Sequence, residues 1–201
     1  MPSDIPGPGP VLIQELRDMA KKTAAAWQHL THEAFGPLYD ESSEILILGS
    51  FPSVKSREEA FYYGHRQNRF WPLMARILRP EDPRVPETKE DRTKLMVEKH
   101  IALRDVIESC DIIGSSDASI KNVQVTDLDR ILSRAPIRKI FVNGKTAFRL
   151  YQKYTLPMVG DRAAAVCLPS TSPANAAWSL ERLLDQWKII GEELEKSRSS
   201  R

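Results

Sequence analysis

The feature that most constrains the fold is an apolar run that stops abruptly at a glycine. Residues 44–50 read EILILGS, too short for an ordinary helix and without the polar alternation of a half-solvated strand. A continuously apolar strand must be covered on both faces, which is the condition of a strand inside a parallel sheet. Residues 101–107 (IALRDVI), 137–142 (IRKIFV) and 163–168 (AAAVCL) repeat the pattern. Between them lie stretches with helical spacing, at 70–78, a stretch ending near Lys99, 127–135, 145–154 and a long closing helix from Pro173 to about Leu194. A further amphipathic helix is expected at 11–29. Alternating strands and helices joined by right-handed crossovers give a parallel sheet with helices on both faces. The expected fold is α/β, a three-layer α/β/α sandwich around a four-stranded, mainly parallel central sheet.

A chain of 201 residues, 41% hydrophobic and 28% charged, suits one compact core. The expected organisation is an N-terminal extension with a helix at 1–34, a main domain at 35–194 and a polar, disordered tail at 195–201. There is no internal repeat. No apolar run approaches the roughly 20 residues that span a bilayer, and the start MPSD lacks a basic segment leading into an apolar one, so a cytoplasmic protein without membrane contact is expected. Cys110 and Cys167 stand far apart, which leaves no thiolate set for zinc or an iron–sulfur cluster. The formal charge of +2 neither demands nor excludes nucleic acid.

Sheets of this class bind ligands beyond the carboxyl ends of their strands, here near 49–53, 105–110, 143–145 and 169–175. The unusual residues gather there. Residues 48–71 read LGSFPSVKSREEAFYYGHRQNRFW. Gly49 and Pro52 make a rigid turn whose backbone N–H groups can face a ligand. Tyr62 and Tyr63 offer planes for stacking, and Asn68 presents a donor and an acceptor. Plainer roles are open to the same residues: a half-buried ring for Tyr63, helix packing for Phe70 and Trp71, and a helix cap for Asn68. In residues 168–175, LPSTSPAN, the hydroxyls of Ser170, Thr171 and Ser172 and a following helix start could receive a phosphate, or Ser172 could simply cap that helix with Pro173 in its first turn.

In this order and spacing, GSFPS at 49–53 and LPSTSPAN at 168–175 resemble the two active-site motifs of the uracil-DNA glycosylase superfamily. YYGHRQNRFW between them is similar to the His–x–x–Asn–Arg–Phe–Trp stretch of mismatch-specific uracil glycosylases. The hypoxanthine-DNA, or deoxyinosine, branch is the nearest likeness, from about Phe35 to Leu184, including Pro37-Leu38-Tyr39-Asp40 and Phe141-Val142-Asn143-Gly144. The resemblance implies a metal-free and cofactor-free monofunctional glycosylase. It would act as a monomer on single- or double-stranded DNA carrying hypoxanthine, uracil or xanthine. It also implies roles. Phe51 stands where uracil enzymes carry a polar group that orients water, and Asn68 is the replacement. Phe51, Tyr63, His65 and Asp105 would contact the base, Gly49, Ser50, Pro52 and Ser53 would form the motif loop, and Ser170, Thr171 and Ser172 would hold DNA. The alternative, a non-catalytic nucleotide- or phosphate-binding α/β protein, lacks both G-x-x-x-x-G-K-[ST] and G-x-G-x-x-G. A serine hydrolase lacks its G-x-S-x-G elbow.

Overall fold

The computed structural model describes residues 27–113, 119–162 and 164–199. Its centre is the expected four-stranded parallel sheet. Strands β2 (Ile45–Gly49), β3 (Ile101–Asp105), β6 (Lys139–Asn143) and β7 (Ala164–Leu168) lie in the order β3-β2-β6-β7, and each neighbouring pair is parallel. The continuous apolarity of β2 follows from its two-sided burial: all five of its residues are buried. Ile45 and Ile47 face one core with Phe70, Leu73, Trp187 and Ile190. Leu46 and Leu48 face a second core with Ile107, Ile112, Ile131 and Tyr151. The helices on the first side are α2 (Phe70–Leu78), α3 (Lys89–Glu98), α7 (Leu180–Trp187) and α8 (Ile189–Ser199). On the second side pack α4 (Asp129–Leu132), α5 (Lys145–Leu150) and a π-helical turn at Tyr151–Thr155. Short α1 (Val54–Glu58) and α6 (Leu156–Val159) lie in the connections after β2 and before β7.

A second sheet was not foreseen. Strands β1 (Trp27–Thr31), β4 (Ile107–Ile113) and β5 (Lys121–Val125) form an antiparallel sheet in the order β1-β4-β5, whose inner residues join the second core. The run at 101–107 therefore divides: β3 ends at Asp105, and β4 starts at Ile107 in the other sheet. The polar residues of β5 (KNVQV) are mostly exposed, so no apolar periodicity marks that strand. The helix expected at 11–29 lies largely outside the described residues, and its last part, from Trp27, is strand.

Other boundaries move for local reasons. The helix expected at 127–135 shrinks to α4, with the Asp127 carboxylate accepting from Asp129 N–H at 3.1 Å. No helix begins at Pro173. Residues 169–178 form turns, and α7 starts only at Leu180, where the Ser179 hydroxyl accepts the Arg182 N–H at 3.2 Å. At the other end, α8 runs through Ser199, into the stretch expected to be an unstructured tail. Ser197 and Arg138 both bond Glu44 there.

Gly144, just beyond β6, has φ 101° and ψ 153°, a region open almost only to glycine. A Cβ on it would also stand 2.9 Å from the Cβ of Ser170. Gly144→Ala is therefore expected to destabilise the protein by about 1–3 kcal/mol, a loss of several degrees in Tm for a domain of this size. An unchanged melting curve would contradict this reading of the turn.

Candidate active site

The connections after β2 and β6 leave these adjacent strands toward opposite edges of the sheet, β2 passing to β3 and β6 to β7. Where neighbouring crossovers diverge, a crevice opens at the carboxyl edge. Here it is a cleft of about 880 Å³ lined by the 49–53 loop, Tyr63, Asn68, Asp105, Asn143 and the 169–175 loop.

Its floor follows from strand register. Gly49 pairs with Asp105, and a Cβ on Gly49 would meet the Asp105 Oδ1 at 2.1 Å; only glycine lets that carboxylate lie across the strand end. Asp105 is 5% exposed. Its Oδ2 accepts from His32 Nε2 at 2.8 Å, and its main-chain carbonyl accepts from the Thr126 hydroxyl at 2.8 Å.

One wall is aromatic. Tyr63 adopts a left-handed φ of 55°, an unusual conformation for a bulky residue, and stacks on Phe70 with ring centroids 3.8 Å apart. Its ring is half-buried, but its hydroxyl is enclosed and finds no partner of good geometry among the described residues. Burial, reinforced by the nearby Asp105 charge and opposed by the Asn143 amide, pushes the phenol well above its usual range, so Tyr63 stays neutral. Phe51 lies opposite the edge of the His32 ring. The Arg57 guanidinium stands 5.9 Å from the Phe51 centroid and donates to the Pro52 carbonyl at 2.7 Å, which fixes the motif loop. Ser53 is used structurally, accepting the Ser56 N–H at 3.2 Å as the cap of α1.

Asn68 caps the start of a helix and also lies at the cleft. Its Oδ1 accepts the Phe70 N–H at 3.0 Å at the start of α2, and the side chain lines the cleft. Nδ2 has no hydrogen-bond partner among the described residues. His65 is not brought to the cleft: its Nδ1 accepts the Gln67 N–H at 3.1 Å within its own loop.

Arg69, next in the chain, was not anticipated as important. Its Nε donates to the Thr171 carbonyl at 3.2 Å, and its two Nη groups reach the carbonyls of Trp178, Ser172 and Asn175. The carbonyls of Ser172, Asn175 and Trp178 are ones that a helix starting at Pro173 would have drawn into its own bonds; here Arg69 takes them instead. Asn143 fixes the same loop from β6: its Nδ2 donates to Thr171 Oγ1 at 2.9 Å and its Oδ1 accepts the Thr171 N–H at 3.0 Å. Thr171 is fully buried. Its hydroxyl is taken up by Asn143, so in this structure Thr171 shapes the loop at the edge of the cleft. The Ser170 and Ser172 hydroxyls accept the N–H groups of Ser172 and Ala174 yet still line the cleft, as do the cations Arg57 and Lys145. The helix dipole expected behind this loop is absent, since α7 begins farther on.

With this geometry in place, sequence comparison identifies the architecture. The profile of the Uracil DNA glycosylase superfamily matches residues 37–192. The chain belongs to that superfamily. It is similar to the hypoxanthine DNA glycosylase of Methanosarcina acetivorans, 31% identical over 157 residues that cover 78% of this chain and 95% of the relative. The hypoxanthine DNA glycosylase of Methanosarcina barkeri is 32% identical over 56% of this chain and 71% of its own length. A solution NMR structure from M. acetivorans, proposed there to be a uracil DNA glycosylase, superposes with a TM-score of 0.68 at 31% identity, over 80% of this chain and 96% of that one.

Among the superfamily's motif segments, the NRFW stretch thus does two jobs here, one through Asn68 and one through Arg69. A lysine at position 69 would carry the charge but not the planar fork that spans several carbonyls. Arg69→Lys is expected to cost at least about 2 kcal/mol, the scale of lost hydrogen bonds to a charged group, and to speed amide hydrogen exchange through residues 169–178. Unaltered exchange protection in that loop would show that Arg69 does not hold it.

Proposed function

We propose that the protein is a monofunctional DNA glycosylase that hydrolyses the N-glycosidic bond of a deaminated base, hypoxanthine foremost and uracil or xanthine secondarily, flipped out of DNA. The observation that carries this reading is the convergence, in one cleft, of an aromatic wall, a buried carboxylate and a cleft-facing amide at Tyr63, Asp105 and Asn68. The relatives named as hypoxanthine DNA glycosylases support the choice of base.

Chemistry on a base in a duplex requires its extrusion, which costs least where pairing is already weak. A flipped base would lie along Tyr63 and Phe51 with its polar edge toward Asp105. The cations Arg57 and Lys145 and the hydroxyls of Ser170 and Ser172 lie on the same rim, where they would meet sugar–phosphate. Asn68 would position the nucleophile. One lone pair of its Oδ1 holds the Phe70 N–H, which locks the amide's orientation, and the second remains for a water proton. The water oxygen then bonds to C1′ of an oxocarbenium-like sugar. The C1′–N bond breaks, the base leaves with the electron pair, and a proton from the water ends on the base. Holding water and sugar in register supplies much of the barrier reduction, and fixed dipoles around the leaving base supply the rest. Among the described residues no cluster of three or more His, Cys, Asp or Glu side chains is assembled, and no step above requires a metal.

The test is a set of single- and double-stranded oligonucleotides, each with one hypoxanthine, uracil or xanthine, assayed for abasic sites in chelator. The expected result is release of free base without strand cleavage, fastest for hypoxanthine, and no covalent adduct on borohydride treatment. Dependence on an added divalent ion, or a borohydride-trapped adduct at Lys145, would overturn the hydrolytic mechanism.

A further inference from the structure

Asp105, on the cleft floor, makes a buried hydrogen bond to a residue outside the superfamily-matched segment. His32 follows β1, ahead of residue 37, and its side chain is fully buried. Its Nε2 lies 2.8 Å from Asp105 Oδ2. The other ring nitrogen, Nδ1, is 3.0 Å from Arg104 Nη1 and 3.2 Å from the Phe35 carbonyl. Arg104 in turn binds Glu108. An arginine only donates, so a neutral His32 accepts from it at Nδ1 and carries its proton on Nε2. A charged His32 carries protons on both nitrogens and can donate to Phe35. Either way Nε2–H donates to Asp105. Oδ2 is thereby occupied, while Oδ1 lies beside Gly49 at the cleft floor.

We propose that His32 is a positioning residue that holds Asp105 as an acceptor-only carboxylate, and that Asp105 Oδ1 thereby reads the ring N–H that deamination creates. The chemistry is specific. Adenine N1 and cytosine N3 are lone-pair acceptors, whereas hypoxanthine N1 and uracil N3 carry hydrogen. A carboxylate accepts from the second kind and faces the first with lone pair against lone pair, a contact that discriminates strongly in a buried site. Were Asp105 protonated, its O–H could donate to adenine N1 and the distinction would invert. Of the other ionisable groups nearby, Tyr62 and Tyr63 feel the Asp105 charge, while Arg104 reaches His32 and pairs with Glu108. Both phenols are held neutral by burial. Among these groups, only His32 donates a hydrogen bond to the carboxylate.

This inference rests on the glycosylase reading, so wild-type release of hypoxanthine from a deoxyinosine duplex comes first; failure there counts against that reading alone. His32→Gln places an amide donor near the Nε2 position, and His32→Asn places it near Nδ1, out of reach of Oδ2. His32→Gln is expected to stay within about threefold of wild type in kcat/KM. His32→Asn is expected to fall roughly ten- to a hundredfold, the scale of a lost charge-assisted hydrogen bond. Without the Nε2 donor the Asp105 carboxylate is no longer held in place, so the preference of His32→Asn for hypoxanthine over adenine should narrow, whereas His32→Gln should keep it. Equal losses in both variants with an unchanged preference for hypoxanthine over adenine would overturn the proposal. If neither variant folds, long-range 15N–1H spectra of wild type decide it: a proton on His32 Nε2 across the active pH range supports the dyad, and a bare Nε2 refutes it.

Discussion

The site exists because two hydrogen-bonded neighbours in a parallel sheet, β2 and β6, send their chains away from each other at the carboxyl edge. This is a constraint of topology, and the side chains exploit it. The register that pairs Gly49 with Asp105 delivers a carboxylate to the floor of the gap, while the end of β6 delivers Asn143, whose amide grips Thr171 on the far rim. Glycine is required at both strand ends for different reasons. Gly49 gives way to the Asp105 carboxylate, and Gly144 adopts a backbone conformation that a Cβ would oppose.

The two loops that face each other across the gap are not independent. Arg69 reaches from the 65–70 loop to the carbonyls of the closing loop, and its own N–H donates to the Thr171 carbonyl at 3.1 Å. A guanidinium satisfied by main-chain carbonyls needs no counter-ion to be held, and it leaves the loop's N–H groups and hydroxyls to organise the rim. The same short segment carries Asn68, whose cap to Phe70 aims its amide. Local secondary structure and site geometry are thus set by one turn.

How much of this could be read in advance depended on whether a residue's role showed in its neighbours along the chain. The four parallel strands were legible because two-sided burial demands unbroken apolar runs, and the fold class followed. The antiparallel sheet was not. Strand β5 keeps polar residues exposed, and β3 and β4 meet at Asp105–Ile107 without a turn signal, so they read as one strand. The motif loop and Asp105 were legible as strand-end residues, and Tyr63 and Asn68 by their side-chain chemistry in the stretch that follows; all of them line the cleft. His65, expected at the base from the resemblance of its stretch to that of the mismatch-specific uracil glycosylases, folds back onto Gln67. Thr171 looked like a free hydroxyl because its partner, Asn143, is distant in the chain. Arg69 and His32 were invisible for the same reason: their importance lies in contacts across the fold, with Trp178 and with Asp105.

The proposed mechanism depends on Asn68 as the group that positions the hydrolytic water, with Phe51 unable to do so. The most direct measurement is the single-turnover rate of hypoxanthine release by Asn68→Ala at saturating deoxyinosine DNA, taken alongside its melting temperature. Losing a positioned polar group at the transition state costs about 2.7–4 kcal/mol, a hundred- to a thousandfold in rate, whereas losing a helix cap costs about 1 kcal/mol of stability. In the proposed mechanism the amide does both, so Asn68→Ala is expected to show a small drop in Tm together with a rate loss of at least about a hundredfold and retained DNA binding. A folded Asn68→Ala protein that releases hypoxanthine at the wild-type rate would contradict it.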